Sequence, residues 1–323
     1  MTDSLPKVSI IIPCWNAEKY IADAIGSCLG QSYPNLEVVV VNDGSTDGSQ
    51  LVLDKYVGQI VSITVKNGGS NKARNIGFEA SSGELIKFLD ADDYLWPGAI
   101  VRQVQHMQTL NHNEFSVGES FVYDDSKNVF RKYPDWKPIK TPADEVAQFV
   151  RIPPPITNVL YRKNILKNIG CFDIEVLVRQ EVDLFLRYVF SRNMPRLFLQ
   201  PIFVYRNHPT VGRVSARKLS EAYQSDLRFL QRAEKSLDEI MGIPEFSKVS
   251  EALAYRMWNM GRDMLRNEFS AEAKQCFVLA KISNPQNHVE GRIPYKIITT
   301  VVGPLMCEKI FSKIKKLLKS YIK

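Results

Sequence analysis

Three aspartates in four residues, Asp90-Ala-Asp92-Asp93, close the apolar run Leu85-Ile-Lys-Phe-Leu89. Carboxylates this near one another repel, and full ionisation is unfavourable unless a cation is shared. A hard divalent ion with oxygen ligands, Mg2+ or Mn2+, meets that demand, and such ions commonly bridge to a substrate phosphate. The same residues also suit a plainer task, because Asp93 ahead of Tyr94-Leu-Trp-Pro97 can cap a helix.

A second acid sits in Val41-Asn42-Asp43-Gly44-Ser45-Thr46-Asp47-Gly48. Gly44 allows a tight turn, and Ser45, Thr46 or Asp47 can cap the helix that follows. The Asp43 carboxylate, just past an apolar run, can accept from the N–H of a base. In Ile12-Pro13-Cys14-Trp15-Asn16 the proline stops a strand, and Asn16 caps the next helix or reaches a ligand. Asn67-Gly68-Gly69-Ser70-Asn71-Lys72-Ala73-Arg74-Asn75 turns on two glycines into a helix bearing Lys72 and Arg74. Amides and the dipole at such a helix start favour phosphate, and two cations add to that. Neither a Walker-type phosphate loop nor the dinucleotide-binding glycine fingerprint is present.

Each motif needs an element to hold it. Val8 to Ile12, Leu36 to Val41, Ile60 to Val65 and Leu85 to Leu89 are short apolar runs bounded by Gly, Pro, Asn or Asp. They read as buried parallel strands. Helical spacing lies between them. Glu18 to Leu29 puts Tyr20, Ile21, Ala24, Ile25, Cys28 and Leu29 on one face; Asp47 to Tyr56 gathers Leu51, Val52 and Tyr56; Asn71 to Ala80 is the third. The order βαβαβαβ predicts an α/β fold with a Rossmann-like, doubly wound, mostly parallel sheet flanked by helices. Ligands of such sheets bind outside the carboxyl ends of the strands, where all four motifs sit.

Further on, the pattern predicts a helix over 97–109, strands near 115–123 and 197–205, and a helix from Glu181 to Phe190. Pro153-Pro-Pro155 marks a stiff loop. From about residue 218 the spacing is nearly all helical, with Met260 to Asn284 forming a helical hairpin. In 308–323, Ile310, Phe311, Ile314, Leu317, Leu318, Tyr321 and Ile322 share one helical face, and six lysines fill most of the rest. Such a basic amphipathic helix is fit to lie on anionic lipid, or to pack on the body with its lysines solvated.

The 323 residues, 45% apolar and 24% charged, can bury a full core, which excludes wholesale disorder. A net charge of +7 favours an anionic partner without choosing one. Nucleic acid has that charge alone behind it, with no aromatic-studded basic groove, so no specific nucleic-acid partner is expected. Five scattered cysteines form no disulfide framework or zinc pattern, which makes a reducing cytosol the default compartment. The first residues lack a basic region before an apolar stretch, and no run of about 18 apolar residues occurs.

Together with Ile169-Gly-Cys-Phe-Asp173, Gln180-Glu-Val-Asp-Leu-Phe-Leu-Arg187 and Tyr205-Arg-Asn-His208, the four motifs resemble glycosyltransferase family 2. Its members are inverting enzymes with a GT-A fold. The resemblance covers residues 7 to 215 or so and implies a catalytic unit at 1–215 with a helical extension at 216–323. It implies that Pro13, Asn16 and Asp43 line a uridine pocket, that Arg74 lies near the base or diphosphate, and that Asp90 faces the ribose. Asp92 would hold Mn2+ or Mg2+, and His208 matches a histidine that can approach the metal. Glu181 would be the catalytic base, although Gln180-Glu181 stands where many relatives have Glu-Asp. Asp183 matches a further acidic position. A Gln-x-x-Arg-Trp motif and membrane spans, which mark processive members, are absent, so single additions are expected. The implied partners are a nucleotide-sugar donor, with a UDP-hexose or UDP-N-acetylhexosamine favoured, and a saccharide or lipid-linked acceptor in surface polysaccharide or glycolipid synthesis. The implied place is the cytoplasm, peripheral to the inner face of the membrane through 308–323. Two other readings stand beside this one. A catalytically degenerate relative that binds or scaffolds draws on Gln180-Glu181. A nucleotidyltransferase would want a Gly-rich basic loop after the first strand, which Pro13-Cys-Trp-Asn16 does not supply.

Overall fold

The computed structural model describes residues 5–124, 127–133, 136, 139–208, 219–286, 288–289, 295–296, 299, 302–308 and 310–311. The elements run β1 (Val8–Cys14), α1 (Ile21–Leu29), β2 (Leu36–Asn42), α2 (Ser49–Leu53), β3 (Val61–Thr64), α3 (Ser70–Ala80), β4 (Leu85–Phe88) and β5 (Tyr94–Leu95). Next come α4 (Ala99–Thr109), β6 (Glu114–Asp124), β7 (Val129–Lys132), α5 (Pro142–Arg151), β8 (Val159–Arg162) and α6 (Lys163–Asn168). The chain continues through α7 (Gln180–Phe190), β9 (Met194–Asn207), α8 (Leu219–Lys235), α9 (Val249–Arg266) and α10 (Ser270–Ser283).

One mixed sheet has the order β3-β2-β1-β4-β8-β6-β9-β5, with β7 paired on β6. β1 pairs in parallel with β2 and β4, Ile10 standing opposite Val38 and Lys87. β8 enters antiparallel between β4 and β6, and the long strands β6 and β9 run parallel with a register shift around Glu119. This is the α/β, doubly wound, mostly parallel arrangement that the alternation of strands and helices predicts. The four parallel strands bring Cys14, Asn42, Thr64 and Phe88 to one edge. Helix α3 is drawn close beneath it: a Cβ at Gly77 would lie 2.5 Å from the Ile11 side chain.

Two expectations about the elements need correction, and one strand goes beyond them. β3 is not buried. It pairs with β2 alone at the sheet edge, and three of its four residues face solvent. α2 is a single turn-and-a-half followed by a 3-10 turn, and it buries Ser49 and Leu53 while Leu51 is exposed. β8 was not foreseen at all, because Val159-Leu-Tyr-Arg162 is too short to stand out after the proline loop.

The apolar core is continuous. It runs from Ile11 and Val39 in the sheet through Phe149 of α5 and Phe185 of α7 to Met257 and Trp258 of α9. α9 and α10 form the expected helical hairpin, which starts earlier than the spacing suggests. Most of the lysine-rich segment, 312–323, lies outside the described residues. Among the described residues, no helix is long and apolar enough to cross a membrane.

Candidate functional site

A crevice of about 1100 Å³ opens at the carboxyl ends of the parallel strands. Pro13, Asn16, Asp43, Arg74, Asp90, Asp92, Glu181 and His208 all line it. The structure therefore brings together eight of the nine sequence-predicted residues; Asp183 is not among the lining.

The loops after β1 and β2 are stitched to each other. Asn16, at φ 49°, accepts the Thr46 N–H at 2.8 Å and donates its own N–H to Ser45 Oγ at 3.0 Å. Asp47 accepts the Glu18 N–H at 3.1 Å. Ser45 and Thr46 thus bind the neighbouring loop, while Asp47 Oδ1 accepts the Ser49 N–H at 2.9 Å and caps the start of α2. Asp43 is buried, and its two carboxylate oxygens accept the Gly68 and Gly69 N–H groups, each at 2.8 Å. The Gly68 and Gly69 amides therefore serve Asp43 rather than a phosphate, which leaves only the first amides of α3 itself for that part of the reading. Lys72 is exposed, away from the crevice lining. Gly44 has φ +68°, and a Cβ there would come within 2.7 Å of the Asn67 backbone nitrogen, so only glycine fits this turn.

The three aspartates after β4 do not crowd one cation. Asp90 accepts from Arg74 Nη2 at 2.6 Å. Asp93 is buried and accepts the Arg206 N–H of β9 at 2.9 Å. Asp92 Oδ2 lies 3.1 Å from His208 Nε2. The turn aims the carboxylates in three directions, toward Arg74, His208 and the Arg206 amide. Among the described residues, no group of three or more His, Cys, Asp or Glu side chains gathers as a metal cage. Asp92 and His208 form a two-donor set at the crevice wall, with the Tyr20 ring tilted against the His208 ring at 4.1 Å between centroids. One or two protein ligands completed by phosphate oxygens and water is the usual way Mg2+ is held, and imidazole with carboxylate also suits Mn2+. The donor chemistry fits such an ion.

Glu181 lies in the first turn of α7, facing the crevice beside Gln180. Burial raises its carboxyl pKa, Asp90 adds to the rise, and Arg74 and Arg179 oppose it. Arg74 is itself nearly buried, with its guanidinium 5.2 Å from the Phe172 ring. Asp183 points elsewhere. Its oxygens accept from Arg187 Nε at 2.8 Å and Arg232 Nη1 at 2.7 Å. Two residues along a helix is a turn of about 200°, so Asp183 faces the body when Glu181 faces the crevice.

Other lining residues were missed. Arg179, Tyr133, Ile152, Leu219 and Ala222 all border the crevice. The Pro153–Pro155 loop was legible as stiff but not as a wall. For Arg179 the signal was adjacency to Gln180-Glu181; Leu219 and Ala222 carry no chemical signal in the sequence.

Comparison with known proteins gives a consistent picture. The family model described as Glycosyl transferase family 2 matches residues 9–170. An uncharacterized glycosyltransferase of Rickettsia typhi is 31% identical over 188 residues, covering 57% of this chain and 59% of its own. A counterpart from Rickettsia prowazekii is 30% identical over 187 residues, covering 57% and 58%. This chain thus spans less than two thirds of the length of either relative. Among solved structures, S. aureus TarS 1–349 in complex with UDP-GlcNAc has a TM-score of 0.57 at 16% identity, covering 86% of this chain and 90% of that one. Mannosyltransferase PcManGT from Pyrobaculum calidifontis, in complex with GDP-Man and Mn2+, has a TM-score of 0.56 at 17% identity, covering 98% and 88%. At these identities the likeness establishes the fold.

Proposed function

The chain belongs to glycosyl transferase family 2, and from that premise we propose that it is an inverting glycosyltransferase. It moves a sugar from a nucleotide-diphosphate donor, a UDP-sugar, to an acceptor hydroxyl in surface polysaccharide or glycolipid synthesis. The observation that carries this reading is that Glu181, the Arg74–Asp90 pair and the Asp92–His208 pair line one crevice at the strand ends. TarS with UDP-GlcNAc and PcManGT with GDP-Man and Mn2+ support a nucleotide-sugar donor and a divalent ion.

In this reading Pro13, Asn16 and Asp43 form the base end of the donor site, and Asp90 meets the ribose while Arg74 holds it in place. Asp92 and His208 hold Mn2+ or Mg2+, which when bound offsets the negative charge growing on the diphosphate as the glycosidic bond breaks. Arg74 brings a second positive charge to that end of the crevice. Glu181 takes the proton from the acceptor hydroxyl. Its raised pKa suits the work, since a base is most useful when its pKa lies near the working pH. Attack from the side of Glu181, opposite the leaving diphosphate, inverts the anomeric centre. Trp15, Tyr133, Ile152 and Leu219, all exposed at the crevice, offer the acceptor an apolar surface, in keeping with a sugar face or a lipid-linked chain.

The test is a thermal-shift screen of UDP- and GDP-sugars with and without Mn2+. A donor that stabilises the protein only with the metal supports the proposal; indifference to every nucleotide sugar under both conditions refutes it. Replacing Glu181 by Gln separates enzyme from degenerate binder: an enzyme loses turnover and keeps donor binding.

A further inference from the structure

We infer that Asp226 of α8 is a positioning residue for Glu181, acting through Arg179; the inference rests on Glu181 being the catalytic base. Arg179 is the hinge into α7. Its φ of +58° is in the left-handed region, where a bulky side chain is held only by its surroundings. Its carbonyl accepts the Val182 N–H at 3.0 Å and the Asp183 N–H at 3.4 Å, so the first turn of α7, with Glu181 in it, hangs from this residue.

What holds Arg179 is helix α8. Arg179 Nη1 donates to Asp226 Oδ2, and Asp226 is fully buried. The preceding segment is tied to the same helix at several further points. Leu177 N–H donates to Ser225 Oγ at 3.2 Å, and Asp173 accepts from Arg228 at 3.1 Å and Arg232 at 2.5 Å. One turn earlier in α8, Ala222 reaches the crevice wall. Helix α8 therefore touches the crevice directly and grips the segment that delivers Glu181 to it.

The pair is a weak source of stability, because the desolvation of the buried Asp226 carboxylate offsets its attraction to the partly exposed Arg179. Burial pushes the Asp226 carboxyl up to about 6, with Arg179 and then Arg256 of α9 holding it down and Asp263 pushing with the burial. Placing a catalytic carboxylate is a better account of such a pair than stability is.

The experiment compares the parent with Asp226→Asn, Asp226→Glu, Arg179→Lys and Glu181→Gln. UDP-GlcNAc, UDP-glucose, UDP-galactose and GDP-mannose are offered with Mn2+, and release of nucleoside diphosphate is followed. Amide exchange is measured on the same proteins and needs no substrate. Asp226→Asn should lower kcat about 10- to 100-fold, the effect of a displaced group near the reacting atoms. Donor KM should stay within about threefold, since donor contacts are untouched. The Val182 and Asp183 amides should exchange at least about tenfold faster, with β1 to β4 unchanged. Asp226→Glu should recover part of the lost kcat. Should Asp226→Asn fail to fold, Arg179→Lys, at a side chain 36% exposed, carries the same comparison. Parent-like kcat, a change in KM alone, or unaltered exchange at Val182 and Asp183 overturns the inference. Full turnover by Glu181→Gln would instead remove the base on which it rests.

Discussion

His208 Nε2 and Asp92 Oδ2 stand 3.1 Å apart although 116 positions separate them in the chain. β9 delivers the histidine and the turn after β4 delivers the aspartate, while Tyr20 from the start of α1 backs the ring. Asp92→Asn and His208→Ala should each raise the Mn2+ concentration needed for half-maximal nucleotide-sugar turnover by about 10-fold or more. The melting temperature without nucleotide should change little for Asp92→Asn, whose side chain is 28% exposed. A metal titration of turnover checks both. Unchanged metal demand in both variants would place the ion elsewhere.

Glu181 sets the acid side of the pH profile. A base must be deprotonated, and burial lifts the pKa of this one. Activity is then full above the raised pKa and falls as pH drops through it, at a higher pH than an ordinary glutamate would give. Glu181→Gln should lower kcat by about 10²- to 10⁴-fold, the usual weight of a positioned base, with donor binding by calorimetry retained. A kcat profile flat down to the normal carboxylate range would contradict the assignment.

Asp43 joins two loops as well as facing the donor. An asparagine offers one acceptor oxygen where the carboxylate uses two, so either Gly68 or Gly69 N–H loses its partner. Asp43→Asn should cost about 1–3 kcal/mol of stability. It should also weaken donor binding, whereas a purely structural joint would lose stability alone. Chemical denaturation paired with a donor titration separates the outcomes.

Asp183 behaves differently. Both its oxygens are held by Arg187 and Arg232 in a buried setting. Asp183→Ala should cost about 3–5 kcal/mol, the penalty of stranding buried charge. The kcat of the molecules still folded should remain within a few-fold of the parent. A loss of kcat as large as that of Glu181→Gln, at unchanged stability, would restore Asp183 to the chemistry.

These contrasts show what a sequence can and cannot convey. Strand ends are largely written in it: apolar runs that close just before Asp43 and Asp90 locate the crevice before any coordinate is known, although β1 passes through Pro13 to Cys14 instead of stopping at the proline. The direction of a side chain within a turn is not. Asp90, Asp92 and Asp93 look like one acidic cluster, and backbone rotation sends them to Arg74, His208 and the Arg206 amide. Nor does a glycine turn reveal whether its amides are already engaged, as those of Gly68 and Gly69 are by Asp43. Edge position escaped for a similar reason. Val61–Thr64 has the composition of an inner strand, and only pairing tells that one side is open. Adjacency to Gln180-Glu181 points to Arg179, but the role proposed for it is not legible, because that depends on Asp226, 47 residues away.

The unbroken core has a practical meaning for chimeras. α9 shares apolar neighbours with α5, and Arg151 of α5 pairs with Glu251 of α9 at 3.0 Å. Splicing in another protein's helices after residue 215, in the hope of importing a new acceptor preference, would leave the α5 face without its complement. The helices and the surface beneath them must be exchanged as one unit.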